Sequence, residues 1–143
     1  MIQLKKWFAL CACATATLAW AGVQFTNVPQ AMHKPLGNHS LKAAQLDGQG
    51  VLRVQMDKPM VSELVYATFI YNGICAEQWR HPERFATLAL AQVQVFDATA
   101  AQGFAFDARG DICVRMGRMG QNFHALIAER TVACSAGACP PPR

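Results

Sequence analysis

The sequence predicts a small α+β domain, one central helix packed on a short antiparallel sheet and stapled by two disulfides. Three features predict it. Residues 57–79 make the longest strongly apolar run outside the N-terminus. Apolar and polar residues alternate through Leu52, Val54 and Met56, through Val93 and Val95, and through Phe104 and Phe106, which is the two-residue period of half-buried strands. Four cysteines, Cys75, Cys113, Cys134 and Cys139, lie beyond an N-terminal export signal, and an even number in an exported chain reads as two disulfides.

Residues 1–21 are that signal peptide. Lys5 and Lys6 stand without an acid, Trp7 to Trp20 carries no charge, and Ala19-Trp20-Ala21 puts small residues at the two positions a signal peptidase reads. Cleavage then falls between Ala21 and Gly22. Two alternatives stay open. Residues 7–23 reach about the lower length limit for a bilayer span, so an uncleaved segment would make the protein an inner-membrane-anchored subunit. Cys11 or Cys13 could carry a lipid, although the apolar segment before them is very short for a leader.

The chain beyond the signal is one domain by length. The whole chain has 13 Lys+Arg and 9 Asp+Glu, a net +4. Lys5 and Lys6 belong to the signal, which leaves 11 against 9, or +2. The arginines are spread out and so small a charge does not argue for nucleic acid. Trp79, Phe85, Phe104, Phe106 and Phe123 read as core rather than as a base-stacking platform.

Taken in order, residues 22–46 form an irregular N-terminal arm. Pro29, Pro35, Gly37 and Asn38 interrupt any periodicity there, and His33 and His39 lack a neighbouring carboxylate or cysteine to complete a metal site. Residues 47–139 hold the domain. Asp47-Gly48-Gln49-Gly50 is a turn before the strand at 51–56. Helix is expected over 58–72, with Asp57 as N-cap, Pro59 in the first turn and Asn72-Gly73 as the stop. Val61, Leu64, Val65, Thr68 and Phe69 make its apolar stripe. Strand propensity is also high here, and the segment is core in either form.

Arg80 to Arg84 is a polar corner. The strands around Val93–Val95 and Phe104–Phe106 make a hairpin across a short loop. Arg109-Gly110-Asp111 is a turn, a better reading for three residues than an adhesion motif. Residues 112–116 suit a strand or a helical turn, and 123–134 stay ambiguous between helix and strand. Residues 140–143 are a proline-rich tail.

Four cysteines allow three pairings. Cys75–Cys113 with Cys134–Cys139 is favoured, because the small residues 135–138 can bend to close the short loop. Zinc ligation has no support in the spacing, so no metal is expected.

The best local catalytic sets are His81, Glu83 and Arg84, and His124 with Glu129. Such side chains supply a base and an anion-holding group, yet His81 to Arg84 is equally an ordinary polar loop. No nucleophile elbow, zinc-protease motif, phosphate loop or Cys-x-x-Cys is present. The expectation is therefore an exported protein, periplasmic or secreted, without enzymatic activity or cofactor. It would bind a protein partner or serve an envelope apparatus, and meet the membrane only through its signal segment. The alternative is a small exported or toxin-like hydrolase using His81 or His124 with Glu83 or Glu129.

Overall fold

Each strand of the sheet lies beside the strand that precedes it in the chain, giving the order β1-β2-β3-β4-β5-β6. The computed structural model describes residues 22–141. The signal-peptide reading and the end of the proline tail fall outside those residues. The first crossover runs from β1, Gln24–Thr26, through helix α1, Gln30–Gly37, to a parallel β2, Leu41–Leu46. A tight turn leads to β3, Val51–Met56, antiparallel to β2. A long helical passage returns the chain to β4, Gln92–Phe96, parallel to β3. The hairpin partner β5, Gly103–Asp107, comes next, and β6, Thr131–Cys134, closes the sheet antiparallel to β5.

The sheet is thus six-stranded and mixed, not short and purely antiparallel, and more than one helix covers it. The cause is two helical crossovers, β1 to β2 and β3 to β4. Each carries the chain back to start its next strand at the same end, whereas the tight turns, and the helices between β5 and β6, return it antiparallel. Residues 22–46 are not an irregular arm either. They supply β1, α1 and β2. Their period is hidden by a register shift between Leu41 and Ala43, which breaks the alternation of β2, and by Pro35, which lies inside α1. Only Met32 and Leu36, four apart, mark the buried face of that helix.

The central helix is displaced from its expected bounds. Ser62 is the N-cap of α2, Glu63–Thr68, its hydroxyl accepting from the Val65 N–H at 3.2 Å. Asp57 and Pro59 stay in the connection before it. Asn72-Gly73 does not stop the helix. The chain continues through a π-helical segment, Phe69–Cys75, into α3, Ala76–Arg80. Gly73 serves close packing instead: a Cβ there would sit 3.0 Å from the Phe69 ring and 3.3 Å from His39 Nε2. The wide turn shifts the helix phase. Tyr66, Ala67, Phe69, Ile70 and Ile74 are buried, whereas Leu64 of the expected stripe is 67% exposed.

After the short α4, Pro82–Phe85, and the hairpin come α5, Ile112–Arg118, and α6, Phe123–Glu129. Residues 112–116 are thus helix, and 123–134 splits into helix and strand. One hydrophobic core joins α1, α2, α5 and α6 to the same face of the sheet through Leu52, Val54, Val93, Val95 and Phe106. Two disulfides take the favoured pairing. Cys75–Cys113 ties the π segment to α5. One helical turn on, the Trp79 indole N–H donates to the Cys113 carbonyl at 2.7 Å. Cys134–Cys139 anchors the chain end over the opposite face, where Phe96, Ala105, Val132 and Cys139 make a small second core. Arg53 holds that end down, its guanidinium 3.9 Å from the Phe96 ring centroid and donating to the Gly137 carbonyl at 3.1 Å.

Candidate functional site

The helix layer leaves a groove of about 600 Å³ at the β6 side of the sheet, between α2 and α6. Tyr66, Ala67, Phe104, Ile127, Thr131 and Ala133 line its body. The alternation of β5 and β6 puts Phe104 opposite Ala133 and Phe106 opposite Thr131 on the helix-covered face. Tyr66 fixes the inner wall. Its ring packs on Phe104 with centroids 5.0 Å apart, and its hydroxyl lies 2.7 Å from Thr131 Oγ1. The Thr131 hydroxyl donates its one hydrogen to the Ile127 carbonyl at 2.6 Å, so Tyr66 must donate to Thr131. Burial pushes the Tyr66 hydroxyl far above the ordinary phenol range, more than the Thr131 bond lowers it. It stays neutral and is no base.

Glu63, Leu64 and His124 stand around the groove. Leu64 holds its side chain largely in solvent. Glu63 has no ion-pair partner among the described residues. The His124 ring lies 4.1 Å from that of Phe123.

The groove runs beside a sheet edge. Among the described residues β6 pairs only with β5. The Asp107 N–H donates to the Arg130 carbonyl at 2.9 Å, which makes that pair a hydrogen-bonded one. Antiparallel pairs alternate, so Val132 and Cys134 also bond to β5 while Thr131 and Ala133 point their N–H and C=O outward. The two residues that line the groove are therefore the two whose backbone faces away from the sheet.

The sequence-derived candidates fall elsewhere or apart. His81 Nδ1 lies 3.4 Å from Glu83 Oε1 on an exposed corner. Arg84 turns away from both and donates to Glu77 Oε2 at 3.2 Å. His124 lines the groove, but Glu129 lines a separate cleft with Gln92 and Asp107 on the other side of β6. Five residues apart on a helix places the two about 140° apart around its axis. Neither pair is assembled with a third group.

Two further ionic clusters are structural. Asp107, at the end of β5, receives Arg109 Nε and Nη2 at 2.8 Å each and lies beside Arg130. The Arg109 hydrogen bonds hold its carboxyl down to about 2, against the opposing cost of desolvation. Arg130 also donates to the Arg109 carbonyl at 2.6 Å, tying the turn after β5 to the end of α6. Arg109 of Arg109-Gly110-Asp111 is thus engaged within the fold. His39 packs edge-on against Phe69 at 5.3 Å. Burial lowers its pKa, opposed by the charge of Glu77. Among the described residues no three His, Cys, Asp or Glu side chains gather as a metal ion requires.

The groove was invisible in the sequence because the expected apolar stripe set Leu64 on the buried face, whereas α2 buries its Tyr66 and Ala67 side and leaves Leu64 in solvent. Fold and site define a two-layer α/β protein with an apolar groove running along an open strand edge. No protein-family model, curated protein or solved structure matches the chain.

Proposed function

We propose that this is an exported protein that works by holding a protein partner in the groove between α2 and α6. The observation that carries the reading is Leu64, an apolar side chain kept 67% exposed beside a groove walled by Tyr66, Phe104 and Ile127. Keeping such surface in water forgoes burial free energy, and apolar clefts with a polar rim favour binding. The two disulfides support an oxidising, extracytoplasmic location, in line with a signal peptide over residues 1–21. No helix among the described residues is long and apolar enough to cross a membrane. A hydrolase built on His124 and Glu129 would need both on one cleft, and they line different ones.

Affinity recovery from envelope extracts tests the proposal with three forms of the protein: wild type, Leu64→Lys and, as a control outside the groove lining, Val114→Lys. Val114 is also exposed, at 48%, on α5. The same partner should be recovered by wild type and Val114→Lys and lost with Leu64→Lys. Equal recovery by all three would overturn the reading, as would a hydrolytic turnover abolished by His81→Ala or His124→Ala.

A further inference from the structure

We infer that the partner binds as an added β-strand: an extended segment pairs with β6 and lays alternate apolar side chains, with a basic one among them, into the groove. The inference rests on the groove proposal and names what enters it. Three features of one strand carry it. Thr131 and Ala133 face their backbone N–H and C=O outward, offering two donors and two acceptors in the spacing of an antiparallel or parallel ladder. These same residues line the groove, so an added strand would set every second side chain against Phe104, Ile127 and Ala128. Ala133 is exposed and small, leaving the edge open where a larger residue would shield it.

Edge strands are commonly guarded by shortness, by proline, by lysine or by a bulge, and of these the four-residue β6 has only its shortness. β6 reads Thr-Val-Ala-Cys and its register with β5 is unbroken. Charge selects the occupant. Glu63 stands at the groove without an ion-pair partner among the described residues, while the floor is apolar. A segment with alternating apolar residues and one lysine or arginine satisfies both. An acidic segment would bring like charges together at the exposed rim beside Glu63.

The test uses a fluorescein-labelled peptide of alternating valine and threonine with one lysine, and a scrambled peptide of the same composition without alternation. Fluorescence anisotropy against the full disulfide-bonded protein should show saturable binding of the alternating peptide alone. Ala133→Pro deletes an outward N–H without touching the bonds to β5 and should weaken binding about tenfold or more. Glu63→Lys, which leaves the strand intact, should weaken it a few-fold, as befits an exposed charge, and favour a peptide carrying glutamate in place of lysine. Equal binding of both peptides, no saturation, or full affinity in Ala133→Pro and Glu63→Lys would overturn the inference. A concentration-dependent dimer that Ala133→Pro dissolves would assign the edge to a second copy and overturn it too. Recovery of the native partner separates the two proposals. Loss with Leu64→Lys but not with Ala133→Pro leaves groove binding standing and removes strand addition; retention by both removes both.

Discussion

Removing the Cys75–Cys113 disulfide should cost the fold about twice what removing Cys134–Cys139 costs. The two bonds span 38 and 5 residues of sequence. Chain-entropy arithmetic gives about 4 kcal/mol for the longer loop and about 2 kcal/mol for the shorter. Packing widens the gap. Cys75 is fully buried and Cys113 is 3% exposed, both within the main core, so truncating them to alanine also empties volume there. Cys134 is as buried as Cys113, but in the small second core, and Cys139 is only half-buried. A domain of this size holds only about 5–15 kcal/mol in total, so Cys75→Ala/Cys113→Ala should approach the limit of folding. The assay is urea unfolding followed by far-ultraviolet circular dichroism on wild type and the two double variants, with midpoint and slope both fitted. The slope should rise as the uncrosslinked unfolded chain expands. A cost for Cys134→Ala/Cys139→Ala equal to or above that for Cys75→Ala/Cys113→Ala would show that neither loop length nor core burial sets the order.

Further expectations concern charge and backbone. Asp107 titrates near 2 when folded and near 3.8 otherwise. Its stabilisation is therefore present above about pH 4 and lost as pH falls toward 2. With solvent screening of the Arg109 pair included, Asp107→Asn should remove about 1–2 kcal/mol at neutral pH and flatten the acid limb of a stability–pH curve. His39 has the reverse chemistry and the same direction. Its folded pKa lies below 6.5, so the unfolded chain takes up the proton first and stability falls as pH drops below about 6.5, a slope that His39→Gln should remove in urea titrations at stepped pH. Gly50 has φ +82°, and a Cβ there would come 2.1 Å from the Ala89 carbonyl oxygen. Gly50→Ala should destabilise by more than the roughly 1 kcal/mol expected of backbone strain alone, measured as a fall in Tm. Tyr66→Phe removes the donor to Thr131 and should cost about 1 kcal/mol in the same melt while leaving the groove's apolar wall in place.

What the sequence could reveal tracked the strength of its periods. The strands at Leu52–Met56, Val93–Val95 and Phe104–Phe106 alternate cleanly and lie where expected, because each buries one face and exposes or covers the other separately. The cysteine pairing was one of three open to the sequence, favoured for the small residues between Cys134 and Cys139, and it is the one the fold adopts. Three things were hidden. β1 is 3 residues long, too short to show a period. The register shift in β2 put Leu41 and Ala44 out of phase. The π segment carried the helix past Asn72-Gly73, the expected stop, and α2 buried Tyr66 and Ala67 in place of Leu64. The groove depends on that choice of face, together with two elements distant in sequence, α2 and α6. No local pattern announces such a site. His81, Glu83 and Arg84 drew attention by adjacency alone, and the fold points Arg84 toward Glu77 instead.

Both functional proposals require that the protein leave the reducing cytoplasm. Intact mass of the protein recovered from envelope fractions, alkylated with and without prior reduction, tests that directly. The expected chain begins at Gly22, takes up no alkyl group before reduction, and takes up one on each of Cys75, Cys113, Cys134 and Cys139 after it. A full-length chain whose cysteines alkylate without reduction would contradict export and both disulfides, and would return those cysteines to consideration as ligands or nucleophiles.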